Sequence, residues 1–410
     1  MLELYFKYPR VLRRLRDGEL GGEMDRIAGY LWENGYKRGS AKVYLRRLGR
    51  FSDHLSHAAC NTPIGQAVVE AFVDGYPTKA PRQAARTAIQ LARRVVPERF
   101  IIPCVGPDPH QPLLDAYMSH LRQVRGIAPK TCEELLLAAR RILGWYDAHF
   151  PEHSLASLTG EQVLALVEHL LALSCNSQTR ALITSNLRMF LRYLRWSGLN
   201  DQDLARFVPR MPRYRLAHLP PRLAWADVRR AIETVDVTTS VGVRNRAILL
   251  LVATTGLRNK ELRSLELHDI RWRSAAVIVR QTKSKRDRVV PLLQEAGEAL
   301  ADYVLHARPK SGSQRVFLQH LPPVRPIEGS SIISRIVRTA LERADIVLPP
   351  VVGAHLIRHS LATQLVGQRR PINEIADLLG HRSIDTTAIY VKVALPQLAD
   401  VALPFPGGAR

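Results

Sequence analysis

Residues 206–222 divide the chain into two parts with different patterns. This segment contains four prolines, which lack a backbone N–H and restrict the residue before them, so neither a helix nor a central strand can run through it. It also contains five arginines and no acidic residue. The arginines are Arg206, Arg210, Arg213, Arg215 and Arg222. We therefore predict a stiff, extended connector whose arginines contact phosphate groups; a plain solvated linker is the alternative.

The chain before this connector is predicted to be helical. Apolar residues recur at helical spacing after Gly39, which we interpret as a break before a helix that starts near Ser40. The segment 179–197 has the same spacing, with arginines between its apolar positions. These patterns predict two helical modules, residues 1–105 and residues 106–205.

The chain after the connector has a mixed pattern. Two short runs, 276–280 and 289–292, flank a polar turn and predict a β-hairpin. Helices are predicted at 225–233, 244–253, 294–306, 330–343, 355–367 and 371–379. The predicted fold is therefore multidomain and mainly α, with a small β-sheet or hairpin in an α+β C-terminal domain that spans residues 223–410.

The net charge indicates the class of partner. The 410 residues include 59 Lys and Arg against 37 Asp and Glu, which gives a formal charge of +22. Such an excess favours a polyanionic partner, and nucleic acid is the commonest one. The alternative, a basic protein without such a partner, is the weaker interpretation at this charge.

The cysteines and the apolar runs indicate the cellular environment of the protein. Cys60, Cys104, Cys132 and Cys175 are scattered, with no Cys-x-x-Cys pair and no histidines at zinc spacing. We therefore expect no disulfide framework, no metal site and a reducing cytoplasm. The most apolar run, 247–253, is too short to span a bilayer, so no membrane partner is expected.

A set of side chains in the C-terminal part can attack a phosphodiester without a metal. The set is Arg258, Lys283, His355, Arg358, His381 and Tyr390. The two arginines can fork onto non-bridging phosphate oxygens, and the tyrosine can supply a covalent nucleophile. Because a free phenol has a pKa of about 10, the tyrosine needs surrounding cations that favour the phenolate in the transition state. Since arginines supply this charge, we expect neither a metal nor another cofactor.

The motifs that carry these residues resemble those of the tyrosine recombinase (phage integrase) family. Arg258 lies in the run TGLRNKEL, His355 and Arg358 lie in HLIRH, and Tyr390 ends LGHRSIDTTAIY. The resemblance is strong over residues 222–400. It is fair over 106–205, where it implies a helical core-binding domain. Residues 1–105 exceed the minimal plan of the family, and we expect them to bind DNA or to contact another protomer.

The resemblance also implies a role for each matching residue. In the family, the arginine at Arg358 clamps the scissile phosphate, and the histidine at His355 hydrogen-bonds it and assists proton transfer. The residue at His381 packs on the phosphate or hydrogen-bonds it. Lys283 matches the hairpin lysine that is the proposed general acid for the departing 5′ oxygen, and Lys285 is the competing candidate.

Neighbouring residues receive supporting roles. Glu261 is expected to orient Arg258 or its helix rather than to take part in catalysis. His359 is expected to be structural, since it points elsewhere on its helix. Lys285 and the connector arginines are further candidates for DNA contact.

The reaction that the resemblance implies is cutting and rejoining of DNA through a 3′-phosphotyrosine, without ATP or metal. A free 5′-hydroxyl of a partner strand resolves the intermediate, and four protomers act on two duplexes that carry a specific recombination site. The C-terminal tail and the long N-terminal part are similar to integrases of mobile elements that carry several recombinase genes. Sister recombinases are therefore expected partners, and the expected setting is the bacterial cytoplasm, on the nucleoid.

Two other functions are compatible with the same observations. A type IB topoisomerase or telomere resolvase shares the active-site chemistry, but the LGH-to-tyrosine run and the preceding helical domain favour a recombinase. A non-catalytic DNA-binding regulator would not need all six catalytic positions to be chemically competent.

Overall fold

The computed structural model describes residues 1–57, 63–101, 108–174, 176–212, 220–280, 287–381 and 385–390. Its internal contacts divide the chain into two compact units. Residues 1–102 and 218–410 form the first unit, and residues 103–217 form the second. The predicted connector therefore includes the second of the two boundaries between the units, at 217/218, while the domain limits at 105, 205 and 222 stay a prediction.

The N-terminal part of the first unit is a set of helices around its own apolar core. The helices are α1 (Pro9–Asp17), α2 (Gly21–Glu33), α3 (Arg38–His57), α4 (Gln66–Asp74) and α5 (Lys79–Val95). The predicted apolar row of α3 is buried, including Leu45, Leu48 and Phe51. The predicted break at Gly39 is wrong, because α3 begins at Arg38 and contains this glycine. One glycine costs a helix about 1 kcal/mol, which burial of the row outweighs.

The second unit is also helical. Its helices are α6 (Gln111–Ser119), α7 (Pro129–His149), α8 (Gly160–Ala172) and α9 (Ser177–Trp196). Thr159 and Gln162 form a capping box that satisfies backbone donors at the start of α8. Buried aromatic residues from α6 and α9, Tyr117 and Phe190, pack edge to face with ring centroids 5.3 Å apart. A short 3₁₀ helix, Leu204–Phe207, follows α9.

The C-terminal part of the first unit combines helices with a small sheet. Its helices are α10 (Trp225–Glu233), α11 (Ser240–Thr255), α12 (Asn259–Ser264), α13 (Gln294–Asp302), α14 (Ser330–Arg343), α15 (Ala354–Gly367), α16 (Ile372–Leu379) and α17 (Asp385–Ala388). Residues 247–253 of α11 are all buried, so this helix is central and packs against α13 and α15. None of the described helices has the length and apolar character needed to cross a membrane.

The sheet has three antiparallel strands in the order β1 (Ile270–Arg271), β2 (Ala276–Val279) and β3 (Arg288–Pro291). Val277 of β2 pairs with Val290 of β3, and both are buried. This pair is the predicted hairpin, and the fold class of a mainly α protein with a small sheet is confirmed. Strand β1 was not predicted, because two residues give no alternating pattern.

Candidate active site

Arg258 stands in the turn between α11 and α12. Gly256 adopts φ +63°, a conformation that L side chains rarely adopt, and a Cβ at this position would lie 2.6 Å from Leu379 Cδ2. The backbone N–H of Arg258 donates to Glu261 Oε2 (2.9 Å), and its Nη1 donates to Glu261 Oε1 (2.8 Å). Glu261 therefore holds both the main chain and the guanidinium group of Arg258.

A second arginine binds the same carboxylate. Arg288 Nη1 and Nη2 donate to Glu261 Oε1 (3.0 Å) and Oε2 (2.8 Å). Burial would raise the pKa of Glu261, but hydrogen bonds from Arg288 and Arg258 outweigh it and lower the pKa to about 2. The buried carboxylate is therefore ionised at neutral pH and compensated by two cations.

Because the second predicted strand begins at residue 289, Arg288 was expected in the polar turn before it, and this expectation is wrong. Arg288 is the first residue of β3, and its side chain is only 13% exposed. The sequence did contain a signal for this burial. Side chains alternate between the two faces of a strand, so Arg288 lies on the same face as the buried Val290.

Arg358 lies in α15 and is buried. Its Nη1 donates to the carbonyl oxygen of Gly256 (2.6 Å), and its Nη2 donates to that of Leu379 (2.6 Å). Burial and the nearby charge of Arg258 lower the pKa of Arg358 to about 10. The guanidinium group is therefore charged at neutral pH and fixed in position.

The C-terminal end of α16 brings the three arginines together. Successive carbonyl oxygens of Leu378, Leu379 and Gly380 accept from Arg288 Nε (3.3 Å), Arg358 Nη2 (2.6 Å) and Arg258 Nη2 (2.9 Å). The last carbonyl groups of a helix lack intrahelical partners and carry partial negative charge, so they attract cations. Gly380 has φ +63°, and a Cβ there would lie 2.8 Å from Arg288 Nη1. The chain continues from this helix end to His381 and Tyr390.

Tyr390 is buried at the end of the described chain. It packs against an apolar cluster that includes Ala362, Val366 and Leu379. Its hydroxyl oxygen lies 2.7 Å from His359 Nδ1, within hydrogen-bonding distance. Burial raises the pKa of Tyr390, whereas the charges of Arg358 and Arg258 act to lower it. In this conformation the phenol is protonated at neutral pH.

The contact with His359 corrects the expectation that this histidine points elsewhere. Burial, with the neighbouring His355 and Arg358, lowers the pKa of His359 to about 4, so its ring is neutral at neutral pH. The HLIRH run contained a signal for this arrangement, because residues four apart share one face of a helix. The rings of His355 and His359 are accordingly neighbours, with centroids 6.3 Å apart.

His381 lies on another side of the tyrosine. Its ring is stacked with that of Tyr390, with centroids 6.4 Å apart, and its Nδ1 lies 2.7 Å from Thr387 Oγ1. Burial, with the charges of Arg358 and Arg258, lowers the pKa of His381 to about 4. His355 is exposed at the start of α15. The structure thus brings Arg258, Arg358, His381 and Tyr390 together around the end of α16.

The remaining predicted residues fall into two groups. Lys283 and Lys285, with Arg213 and Arg215, lie outside the described residues. Arg206, Arg210 and Arg222 are exposed. Arg206 lies over the ring of Phe207, 4.8 Å from its centroid.

One group in the described part of the chain has three side chains close enough to bind a metal ion: Glu266, His268 and Asp269. Arg280 Nε donates to Asp269 Oδ1 (2.6 Å), and Arg315 Nη1 lies 3.4 Å from Glu266 Oε1. Since arginines already compensate these carboxylates, we assign no metal to the group.

Comparison with known proteins agrees with this geometry. Residues 221–395 match the phage integrase family, and residues 114–198 match the phage integrase N-terminal SAM-like domain. A putative integrase/recombinase of Sinorhizobium fredii, y4rF, is 57% identical over 100% of this chain and 97% of its own length. Tyrosine recombinase XerD of Mycobacterium tuberculosis is 31% identical over 70% of this chain and 95% of its own length.

The fold is shared with solved recombinases. The XerH site-specific recombinase bound to palindromic difH substrate has a TM-score of 0.52 and 14% identity, covering 95% of this chain and 93% of that chain. A lambda integrase dimer bound to a COC′ core site has a TM-score of 0.52 and 18% identity, covering 68% and 93%.

The matches and the fold therefore define the class of protein, a tyrosine-type site-specific DNA recombinase. The chain belongs to the tyrosine recombinase (phage integrase) family. The predicted class is confirmed, and the matches support site-specific recombination rather than a topoisomerase or a non-catalytic regulator.

Proposed function

We propose that the recombinase binds duplex DNA at a specific site and cuts one strand with Tyr390. The phenolic oxygen bonds to the phosphorus while the bond from phosphorus to the 5′ oxygen breaks. The strand is left with a 3′-phosphotyrosine and a free 5′-hydroxyl. The bond energy is retained in the phosphotyrosine, so a 5′-hydroxyl of a partner strand can reverse the chemistry without ATP.

The other side chains stabilise charge or move protons. Arg258 and Arg358 bind the non-bridging oxygens, where negative charge grows in the transition state. His355 and His381 contact the phosphate, and His355 assists transfer of the tyrosine proton. Lys283 protonates the departing 5′ oxygen, with Lys285 as the alternative donor. Attack requires the Tyr390 hydroxyl to exchange its hydrogen bond with His359 for contact with the phosphate.

The observation that carries this proposal is the placement of two guanidinium groups by adjacent carbonyls of one helix end. Arg358 donates to Leu379 and Arg258 donates to Gly380, directly before the segment that carries His381 and Tyr390. Fixed cations need no reorganisation when the phosphate arrives, which is the main requirement for stabilising a transition-state charge. Glu261 and Arg288 are positioning residues in this arrangement.

The larger assembly also belongs to the proposal. Residues 106–205 serve as a core-binding domain and residues 223–410 as the catalytic domain, with the connector passing along the DNA backbone between them. Four protomers act on two duplexes, and the reaction moves a mobile genetic element together with sister recombinases. The similarity to y4rF, a putative integrase/recombinase, and to tyrosine recombinase XerD supports the recombination part of this proposal.

The test is covalent trapping. Duplexes that tile the DNA flanking the gene are labelled at their 5′ ends, nicked to prevent religation, and incubated with the protein in EDTA. Denaturing electrophoresis should show labelled DNA attached to the wild-type protein, because the strand segment 5′ of the cut stays on the tyrosine. Tyr390→Phe should form no adduct and should bind the same duplex with unchanged affinity.

Three results would contradict the proposal. They are an adduct with Tyr390→Phe, an adduct that carries label only when the 3′ end of the cut strand is labelled instead, and the absence of an adduct from wild-type protein on every duplex. Cleavage that stops in EDTA and returns with magnesium would contradict the metal-free chemistry.

A further inference from the structure

The N-terminal part of the first unit has an exposed row of arginines that the proposed chemistry does not use. Arg10, Arg13 and Arg14 lie on α1, and Arg46 and Arg50 lie on α3. All five side chains are exposed, and we call this surface the arginine face. The two family matches begin at residues 114 and 221, so neither includes it.

Close packing of two helices brings the arginines onto one surface. Gly49 of α3 lies so near α1 that a Cβ there would be 2.6 Å from Leu15 Cδ2. Two adjoining clefts open between the helices, of about 500 and 320 Å³, and both are lined by Arg10 and Arg14. Arg13 lines the larger cleft, and Arg46 and Arg50 line the smaller one.

The arginine face has more cations than carboxylates, although Asp17 and Asp53 also line the larger cleft. Arg14 forms an ion pair with Asp53 at 2.5 Å. Within the described ranges, no carboxylate lies within ion-pair distance of Arg10, Arg13, Arg46 or Arg50. Like charges three or four residues apart repel each other on a helix, so the charges of Arg10, Arg13 and Arg14 on α1 do not stabilise that helix by themselves.

Some other arginines of the same region are paired. Arg16 Nη2 lies 2.9 Å from Asp25 Oδ2, and Arg26 pairs with Glu98. Arg99 lies 3.4 Å from Glu23 Oε1. Other exposed cations of the region, including Lys79, Arg86 and Arg94, also lack an ion pair among the described residues, so the arginine-lined clefts, rather than unpaired charge alone, distinguish the arginine face.

We propose that the arginine face binds the sugar–phosphate backbone of duplex DNA, as a contact separate from the catalytic site. A concave surface lined by exposed guanidinium groups fits a polyanion, because each group can fork onto phosphate oxygens. Contacts of this kind set affinity and carry no sequence information. An acidic surface on a second copy of the chain is the competing occupant. The proposal adds to the proposed DNA binding and does not depend on the chemistry of Tyr390.

The test compares two full-length triple variants that remove the same charge. Arg10→Gln/Arg13→Gln/Arg50→Gln changes the arginine face, and Arg26→Gln/Lys79→Gln/Arg94→Gln changes exposed cations elsewhere in the region. Affinity for a fluorescent duplex of mixed sequence is measured over a series of NaCl concentrations. Each lost phosphate contact lowers the slope of log affinity against log salt by about 0.9. We expect a fall of about 2.7 for the first variant and little change for the matched control.

Further measurements separate the possible outcomes. Arg10→Lys/Arg13→Lys/Arg50→Lys should restore the slope, because phosphate contact needs the positive charge. Melting curves show whether each variant is folded. Equal slope changes in the two triple variants, or no change in either, would overturn the proposal. Loss of self-association without DNA, with an unchanged salt slope, would also overturn it and assign the face to protein contact.

The proposed function is tested by a separate measurement, the formation of the covalent adduct. Adduct formation at low salt and saturating protein should be equal in wild type and in the variant of the arginine face. If wild type forms no adduct, the proposed chemistry fails, while the salt slopes still decide whether this face binds DNA.

Discussion

The arginines around the active site and those of the arginine face differ in how the protein holds them. Arg258, Arg288 and Arg358 each donate to carbonyl oxygens at the end of α16, and the first two also bind Glu261. On the arginine face, Arg10 and Arg13 are exposed and lack an ion-pair partner among the described residues. The difference indicates that geometry matters at the first site and charge at the second.

Replacement of arginine by lysine gives the strongest test of this difference. Arg358→Lys retains the charge but cannot donate to both Gly256 and Leu379 while forking onto a phosphate. We expect covalent attachment to slow by on the order of 100- to 1,000-fold, as for loss of one oxyanion donor. The measurement is single-turnover adduct formation on the nicked duplex.

Arg13→Lys is the matched control for this prediction. Salt-dependent affinity should stay the same, because a phosphate contact at an exposed position needs charge rather than a fixed fork. Near-normal cleavage by Arg358→Lys, or a large loss of affinity in Arg13→Lys, would break the comparison.

Replacement of Arg288 tests whether an arginine that positions other active-site residues, without contacting the phosphate itself, contributes to the reaction. Arg288→Met removes two bonds to Glu261 and one to Leu378, so Arg258 and the end of α16 lose a common support. Since small displacements of reacting groups are costly, cleavage should slow by roughly 100-fold while DNA affinity stays unchanged. Arg288→Lys should recover part of the rate, because one donor can still reach the carboxylate.

The exposed Arg273 offers a control of the same type in the same region. Arg273→Met should leave cleavage unchanged. If Arg288→Met loses DNA affinity and cleavage in parallel, or only melts at a lower temperature with full activity per folded molecule, then Arg288 does not position Arg258.

The connector should behave like the arginine face rather than like the active site. Neutralising Arg210, Arg213 and Arg215 should weaken binding to cognate and random DNA by similar factors, since phosphate contacts carry little sequence information. The salt slope should fall by about one unit per lost contact. Salt titrations with both DNAs measure these effects. An unchanged slope would make the connector a spacer, and a loss confined to cognate DNA would make it a reader of bases.

Histidines give a smaller contrast between the two regions. Burial lowers the pKa of His359, His381 and His320 to about 4, whereas His57 near the arginine face is exposed. An unfolded histidine titrates near a pH of about 6.5, so the unfolded chain binds more protons between about pH 6.5 and 4. The stability from these neutral rings is therefore fully present above about pH 6.5 and is lost as the pH falls towards 4.

Hydrogen exchange as a function of pH can localise this effect. Between pH 7 and 5, protection should decrease in α15 and α16 more than in α1 and α3. His359→Gln should reduce the pH dependence, while His57→Gln should not. Equal loss of protection in both regions would mean that the buried histidines do not cause the loss of stability at acid pH.

Local patterns in the sequence were sufficient for the class of fold and the class of reaction. The strand pair β2 and β3 and the helices α10, α14 and α16 lie where periodicity predicted them, within a residue or two. The motif run around Arg258 and the runs HLIRH and LGH-to-tyrosine predicted the family, which the comparisons confirm. These features are local, because each depends on residue types at fixed spacing within one element.

The predictions that failed involve residues whose surroundings come from other elements. Gly39 is inside α3 because the buried face of that helix outweighs a weak helix former. Arg288 of β3 is largely buried because its guanidinium group binds Glu261 of α12. His359 contacts Tyr390 because α15 packs against the end of the described chain. Glu261 is 27 residues from Arg288 and Tyr390 is 31 residues from His359 along the chain.

The sequence by itself determined that this chain is a mainly helical, strongly basic tyrosine recombinase with Tyr390 as its candidate nucleophile. Only the tertiary structure decided how the cations are held. The acceptors for Arg258, Arg288 and Arg358 are main-chain carbonyls at the end of α16, which every residue possesses and which therefore leave no pattern in the sequence. The same holds for the arginine face, since its charges become one surface only when α1 and α3 pack at Gly49.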